Sequence, residues 1–241
     1  MSNYSFMLSL TCIISFIGTI LGSIFGIVVK NPSKKFLSNI MGFASGVMIA
    51  IVVLDLIPES FAKLKIIWLI IYFIIGILVV GIINKYIITK KTFDEPFIRV
   101  AILVILTLAV HNFPEGLIMG CGIGLGSSLS FKMSFLIAFH DIPEGIAVAA
   151  PLMAAKEKKI KILFMALISS VPTLVGAFVG LYLGMVSKET LGVLYAFVSG
   201  IMSYIVMGEM IPEAFKLYNK FEAIIGFFIG FALGILMTMM F

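Results

Sequence analysis

Residues 43–61 read FASGVMIAIVVLDLIPESF and residues 197–215 read FVSGIMSYIVMGEMIPEAF. The two stretches align without a gap at ten identical positions of nineteen, enough to mark an internal repeat, and Asp55 falls opposite Glu209. Each copy is an apolar run interrupted by one acid and closed by Ile-Pro-Glu. An ionisable group inside such a run is costly to desolvate. A repeat with only a structural purpose would leave those acids unexplained.

The composition around the repeat fixes the class of protein. Of 241 residues, 61% are hydrophobic and 12% charged, with a mean hydropathy of +1.21. A soluble surface must be largely polar, so this is a polytopic, all-α membrane protein. Eight segments are long enough to cross a hydrocarbon core of about 30 Å. They run near 5–29, 36–60, 65–88, 97–125, 131–155, 160–185, 190–213 and 221–241. The first has no basic leader and is too long for a signal-peptide core, so it reads as a true span. The connections are short, and the chain reads as a single transmembrane domain over 1–241. Cys12 and Cys121 fall inside apolar segments without disulfide or zinc-finger spacing, and read as small buried hydrophobes.

Basic residues set the orientation. The odd-numbered loops with their flanks hold thirteen Lys and Arg and the even-numbered loops four. Positive charge is retained on the cytoplasmic side, which puts both termini outside. The second span then runs outward and the seventh inward, so the repeat is inverted. The expected layout is 3+2+3, with repeats over about 5–88 and 160–241 flanking a central helix pair, 97–155. Inverted repeats of this kind belong to transporters that open alternately to either side of the membrane. The net charge of +5 is modest, and no nucleic-acid partner is expected; the surrounding partner is the lipid bilayer.

The central pair holds the only two histidines, each opening a similar hexapeptide: His111-Asn112-Phe113-Pro114-Glu115-Gly116 and His140-Asp141-Ile142-Pro143-Glu144-Gly145. An imidazole and a carboxylate four positions apart share one helical face, as a bidentate metal clamp requires. Counted back from the outer turn near Ser128, Glu115 is level with Asp141, and His111 and Asn112 with Glu144. At about 1.5 Å per residue these six candidate ligands form two adjacent layers roughly 18–25 Å below the turn. Pro114 and Pro143 each remove a backbone donor, which predicts local widening of the helix. Gly116 and Gly145 permit close helix approach. Two imidazoles, carboxylates and an amide oxygen suit Zn(II), Fe(II), Mn(II) or Co(II), and Cd(II) overlaps with them in ligand preference. Copper(I) and magnesium fit this donor set less well. The metal is expected as a substrate, with no organic cofactor.

The motif pair, the eight-span layout and the Pro-Glu endings of spans two and seven resemble the ZIP (Zrt-, Irt-like) family of divalent metal transporters, especially its compact bacterial members. The resemblance covers essentially the whole chain. It implies zinc import toward the cytoplasm across the plasma membrane, a central binuclear site and a homodimer. Carried over residue by residue, His111, Glu115, His140 and Glu144 form the first metal position. Asn112 and Asp141, bridged by Glu115 and Glu144, form the second. This chain departs from the family in span six, where Thr173 stands near an expected glutamate and leaves the second position one carboxylate short. Residues 89–96 contain no histidine, so metal capture by the third loop is not expected.

Asp55 and Glu59, toward the outer end of span two, are candidates for the entrance of a metal path. Glu209 and Glu213, toward the inner end of span seven, are candidates for its exit. The alternative for the helix-end acids is pairing with a nearby lysine. Two other functions share the ligand set. An intramembrane metal-dependent hydrolase would need an open metal position and commonly a His-Glu-x-x-His clamp, which is absent. A metal exporter would differ only in direction. A transporter, not an enzyme, is expected.

Overall fold

In hydrocarbon an apolar segment must satisfy its backbone internally, and a helix does so within the segment itself. The computed structural model of the chain describes residues 2–28, 33–83, 85, 96–125, 127–184 and 188–240, and is helical with no strand among them. Some side chains within these helices, those of His111 and His140 among them, lie outside the description.

The elements are α1 (Ser2–Val28), α2 (Lys34–Ile51), α3 (Ile57–Phe61), α4 (Ile66–Ile83), α5 (Pro96–Leu125), α6 (Ser127–Ala154), α7 (Lys159–Gly184), α8 (Lys188–Ile205), α9 (Ile211–Leu217) and α10 (Lys220–Met240). Among the described residues six helices are long and apolar enough to cross a membrane. They correspond to spans one to three and six to eight. Spans four and five are the long helices α5 and α6, of 30 and 28 residues. Ends differ from the expected ones by a few residues. The α6 helix begins at Ser127 rather than 131, and α9 carries the seventh span to Leu217 rather than 213. The α4 helix ends at Ile83, and the rest of the third span expected to reach 88 falls largely outside the described residues. At the start of span two, the Ser33 hydroxyl accepts the Phe36 N–H at 3.1 Å and caps α2.

Spans two and seven are each interrupted by a π-helical turn, π1 (Val52–Leu56) between α2 and α3 and π2 (Val206–Met210) between α8 and α9. The Ile57 N–H reaches back to the Val52 carbonyl and the Ile211 N–H to the Val206 carbonyl, five residues each. These are the same positions of the repeat, 154 residues apart. The first copy holds Asp55 and the second Glu209. Extra residues of this kind inside α-helices concentrate at functional sites. A proline follows each turn, yet proline alone does not produce it: α5, α6 and α7 remain α-helical through Pro114, Pro143 and Pro172. The widening expected at the central prolines occurs instead in spans two and seven.

Two hydroxyls clasp these spans end to end. Ser38 Oγ at the start of α2 donates to the Ala214 carbonyl of α9, and Ser60 Oγ of α3 donates to the Gly192 carbonyl near the start of α8, both at 2.8 Å. Spans two and seven therefore run antiparallel. Ser38 and Gly192 occupy equivalent repeat positions, as do Ser60 and Ala214, so each bond maps onto the other.

The remaining packing follows the same register. Glycine lets backbones touch where a Cβ would not fit. A Cβ on Gly46 of α2 would overlap the Phe227 carbonyl of α10, and one on Gly200 of α8 would overlap the Phe73 carbonyl of α4. Both partners of the second contact lie 154 positions from those of the first. The helices fall into two groups: α1, α5, α6 and α7 pack mainly on one another, as do α2, α4, α8 and α10. Outward faces are apolar, such as Ile67, Ile70, Ile71 and Ile74 of α4, whereas Ser15, Ser23, Ser45, Ser169 and Ser199 are buried. Lipid leaves no hydrophobic drive to bury the apolar face, so small and polar residues line the contacts between helices.

Candidate metal site

The two hexapeptides lie at the middle of α5 and α6. Helical backbone places residues four apart on one face, so His111 aligns with Glu115 and His140 with Glu144; the two imidazoles themselves lie outside the described side chains. The remaining four candidate ligands are almost wholly enclosed. Glu115 is 0% exposed, Asp141 2%, and Asn112 and Glu144 3% each. The chain has no Lys or Arg between Arg99 and Lys132 or between Lys132 and Lys156. Among the described residues, no three His, Cys, Asp or Glu side chains gather closely enough to hold an ion, a set from which both histidines are missing.

Spans one and six hold the motifs in place. A Cβ on Gly116 would overlap the Thr173 carbonyl of α7, and one on Gly145 would overlap the Thr19 carbonyl of α1. Across those helices, the Ser170 hydroxyl donates to Thr19 Oγ1 at 3.0 Å. The residues following Glu115 and Glu144 thus meet a single polar seam between α1 and α7. The Ser23 hydroxyl, which donates to Thr19 O at 2.9 Å, extends that seam along α1.

Side-chain hydrogen bonds anchor the second residue of each motif. The Ser15 hydroxyl donates to Asp141 Oδ2 at 2.8 Å, and Asn112 Nδ2 donates to the Ser169 carbonyl at 2.8 Å. Asn112 Oδ1 is buried and has no hydrogen-bond partner among the described residues. A carbonyl-type oxygen so placed can accept a hard or borderline cation without first giving up a hydrogen bond.

These anchors reveal a signal in the sequence beyond the stretch aligned above. Ser15, Thr19, Gly22 and Gly26 of α1 are matched 154 positions later by Ser169, Thr173, Gly176 and Gly180 of α7. Their contacts match too: Gly22 faces the Ile142 carbonyl and Gly176 the Phe113 carbonyl, the third residues of the two hexapeptides. The repeat therefore includes spans one and six, where only small and hydroxyl residues betray it. Thr173, singled out because a carboxylate is expected near it, is 2% exposed, and it is the threonine paired with Thr19.

The outlying candidates divide into two kinds. Asp55, on π1, is 8% exposed, and Glu209, on π2, is partly buried. Glu59 pairs with Lys63, whose ammonium also stands 5.5 Å from the centre of the Tyr195 ring. Glu213 pairs with Lys216 at 3.2 Å.

The profile of the family described as ZIP Zinc transporter matches residues 93–238. A protein named zinc transporter ZupT from Chlorobaculum parvum is 30% identical over 93% of this chain and 93% of its own length. Proteins of the same name from Corynebacterium glutamicum and Streptococcus mutans are each 29% identical. They cover 90% and 95% of this chain and 92% and 96% of their own lengths. The matched region takes in both hexapeptides and the second copy of the repeat, and the chain belongs to the ZIP family of membrane transporters.

Proposed function

We propose that the chain carries divalent transition-metal ions, zinc foremost, across the plasma membrane toward the cytoplasm, through a site between α5 and α6. Membership of the family makes it a transporter rather than an enzyme. The observation that carries the reading is the burial of Glu115, Asp141, Glu144 and Asn112 in two matched motifs held by matched helices. Carboxylates and an amide oxygen, with His111 and His140 on the same helical faces, form the mixed N and O donor set of a borderline divalent ion. The name shared by the relatives supports zinc as the principal cargo. Iron, manganese, cobalt and cadmium have overlapping ligand preferences and are secondary cargo.

Within this reading His111, Glu115, His140 and Glu144 bind the first ion. Asn112 and Asp141 bind a second, with Glu115 and Glu144 bridging. Thr173 contributes no carboxylate, so the second position is the weaker. Asp55 and Glu59 serve the outer approach and Glu209 and Glu213 the inner one.

Transport proceeds by alternating access in a 3+2+3 inverted repeat within one domain over 1–241, with both termini outside. The antiparallel clasp between spans two and seven supports that arrangement, as does the constant 154-residue register of the helix contacts. The division into two helix groups suits an elevator-like movement of α1, α5, α6 and α7 against the rest. The protein is a homodimer in the membrane, which light scattering of the purified protein will test.

The defining experiment is uptake of radioactive zinc by liposomes containing the purified protein. The wild type accumulates metal, and the His111→Ala/His140→Ala variant does not. Hydrolysis of lipid or peptide without metal flux would overturn the reading.

A further inference from the structure

We propose that Ser15 is a positioning residue that holds Asp141 as a one-oxygen ligand and thereby biases the site toward zinc over larger, more highly coordinated ions. The proposal rests on the assignment of Asp141 to the metal site.

The geometry is local and buried. Ser15 is 1% exposed and Asp141 2%, and the Ser15 hydroxyl donates to Asp141 Oδ2 at 2.8 Å. Hydrogen bonds to a carboxylate are strong, and stronger in a site of low dielectric. With Oδ2 engaged by the hydroxyl, Oδ1 is the oxygen offered to the cargo. The helix contact keeps the pair in register, because Gly18 and Gly22 of α1 lie against the Ala138 and Ile142 carbonyls on either side of Asp141. The hydroxyl therefore cannot drift along α6 without separating two backbones that touch.

The other motif reaches the same result by different chemistry. Asn112 holds the place of Asp141 in its hexapeptide, and Ser169 is the repeat mate of Ser15. There the Asn112 amide nitrogen donates to the backbone carbonyl of Ser169, which fixes the direction of the amide's one oxygen, Oδ1. Both second residues are thus presented through one oxygen, each by the matched residue of a matched helix.

Coordination preference turns this into selectivity. Zinc favours four ligands in a tetrahedral arrangement. Manganese suits six oxygen-rich ligands, and hard cations accept a carboxylate through both oxygens. A monodentate Asp141 keeps the coordination number low, whereas one released from Ser15 offers a second oxygen and favours the ion that takes more ligands.

The test compares wild type, Ser15→Ala and Ser15→Thr in liposomes, reading kcat/KM separately for radioactive zinc and radioactive manganese. Ser15→Ala should raise the manganese-to-zinc ratio about 10-fold, in the range typical for loss of a partner that orients a metal ligand. Most of the change should come from a higher KM for zinc. Ser15→Thr, which keeps the hydroxyl, should retain the wild-type ratio. A solely structural serine would depress both metals equally, and an unchanged ratio in Ser15→Ala overturns the proposal. Should that variant fail to fold, Ser15→Cys, a near-isostere with only a weak donor, is read by the same criterion. Absence of any metal uptake by the wild type would instead overturn the proposed transport, and wild-type uptake by Asp141→Ala would overturn the site assignment on which the proposal rests.

Discussion

The central helix pair and the flanking repeat use similar sequence elements to opposite structural effect. Both carry a Pro-Glu step in two copies. In α5 and α6 the helix stays regular through the proline, and Glu115 and Glu144 are 0% and 3% exposed. In spans two and seven the backbone opens into π1 and π2 at Asp55 and Glu209, and Glu59 and Glu213, next to the prolines, pair with Lys63 and Lys216. A regular helix pinned by glycine contacts presents ligands in a fixed array. Under the proposed function, a helix widened at an acid, with a lysine pair beyond, serves the approaches of the path. The same Pro-Glu step is enclosed beside helices one and six in the central pair and lies at a span's end in the repeat.

The largest effects should come from the enclosed array. Glu144→Ala and the His111→Ala/His140→Ala double variant should each lower zinc uptake on the order of 100-fold, the upper end of what even an outer partner of a metal ligand costs. Retention of uptake would remove the distinction between the two regions. The glycine contacts that pin the array come next. Gly22→Val would force a side chain into the Ile142 carbonyl, whereas a Cβ on Gly81 meets only the Tyr204 ring at 3.3 Å. Overpacking of the first kind should cost about 1–3 kcal/mol and lower the melting temperature in detergent, with Gly81→Ala close to wild type.

Intermediate effects belong to the π turns. Asp55→Ala and Glu209→Ala should each slow uptake about 10-fold, roughly 1.4 kcal/mol at the barrier, without abolishing zinc binding to the purified protein. Loss of binding would move these acids into the central site. The smallest effects should come from Glu59→Gln and Glu213→Gln. Both glutamates are half-exposed at helix ends, where ion pairs contribute about 0.2–1 kcal/mol, so stability should barely change and uptake should stay within about 2-fold. A large loss in either would extend the path to the helix ends.

Much of this was legible in the sequence because the informative residues are chemically conspicuous. Acids, histidines and prolines in apolar runs announce both motif pairs, and the 43–61 repeat aligns on them. The 3+2+3 layout puts spans one and six in the repeat, but their register stays hidden because Ser15, Thr19, Gly22 and Gly26 are ordinary in membrane helices; only their backbone partners reveal it. The π turns escaped for another reason. Five prolines sit at comparable places in apolar helices, at 58, 114, 143, 172 and 212, and only Pro58 and Pro212 follow a widened turn. Composition cannot separate them, since the difference lies in how each helix is packed. Helix ends shifted because polar flanks such as Lys216 extend a helix as readily as they end it, a cation in the last turn being favourable there.

The central claim is that cargo binds between α5 and α6. Anomalous diffraction at the zinc edge, on crystals grown with zinc, tests it most directly. The account predicts a peak about 2.0–2.2 Å from oxygens of Glu115 and Glu144, lost in the His111→Ala/His140→Ala variant. A peak confined to Asp55, Glu209 or the helix ends would contradict it.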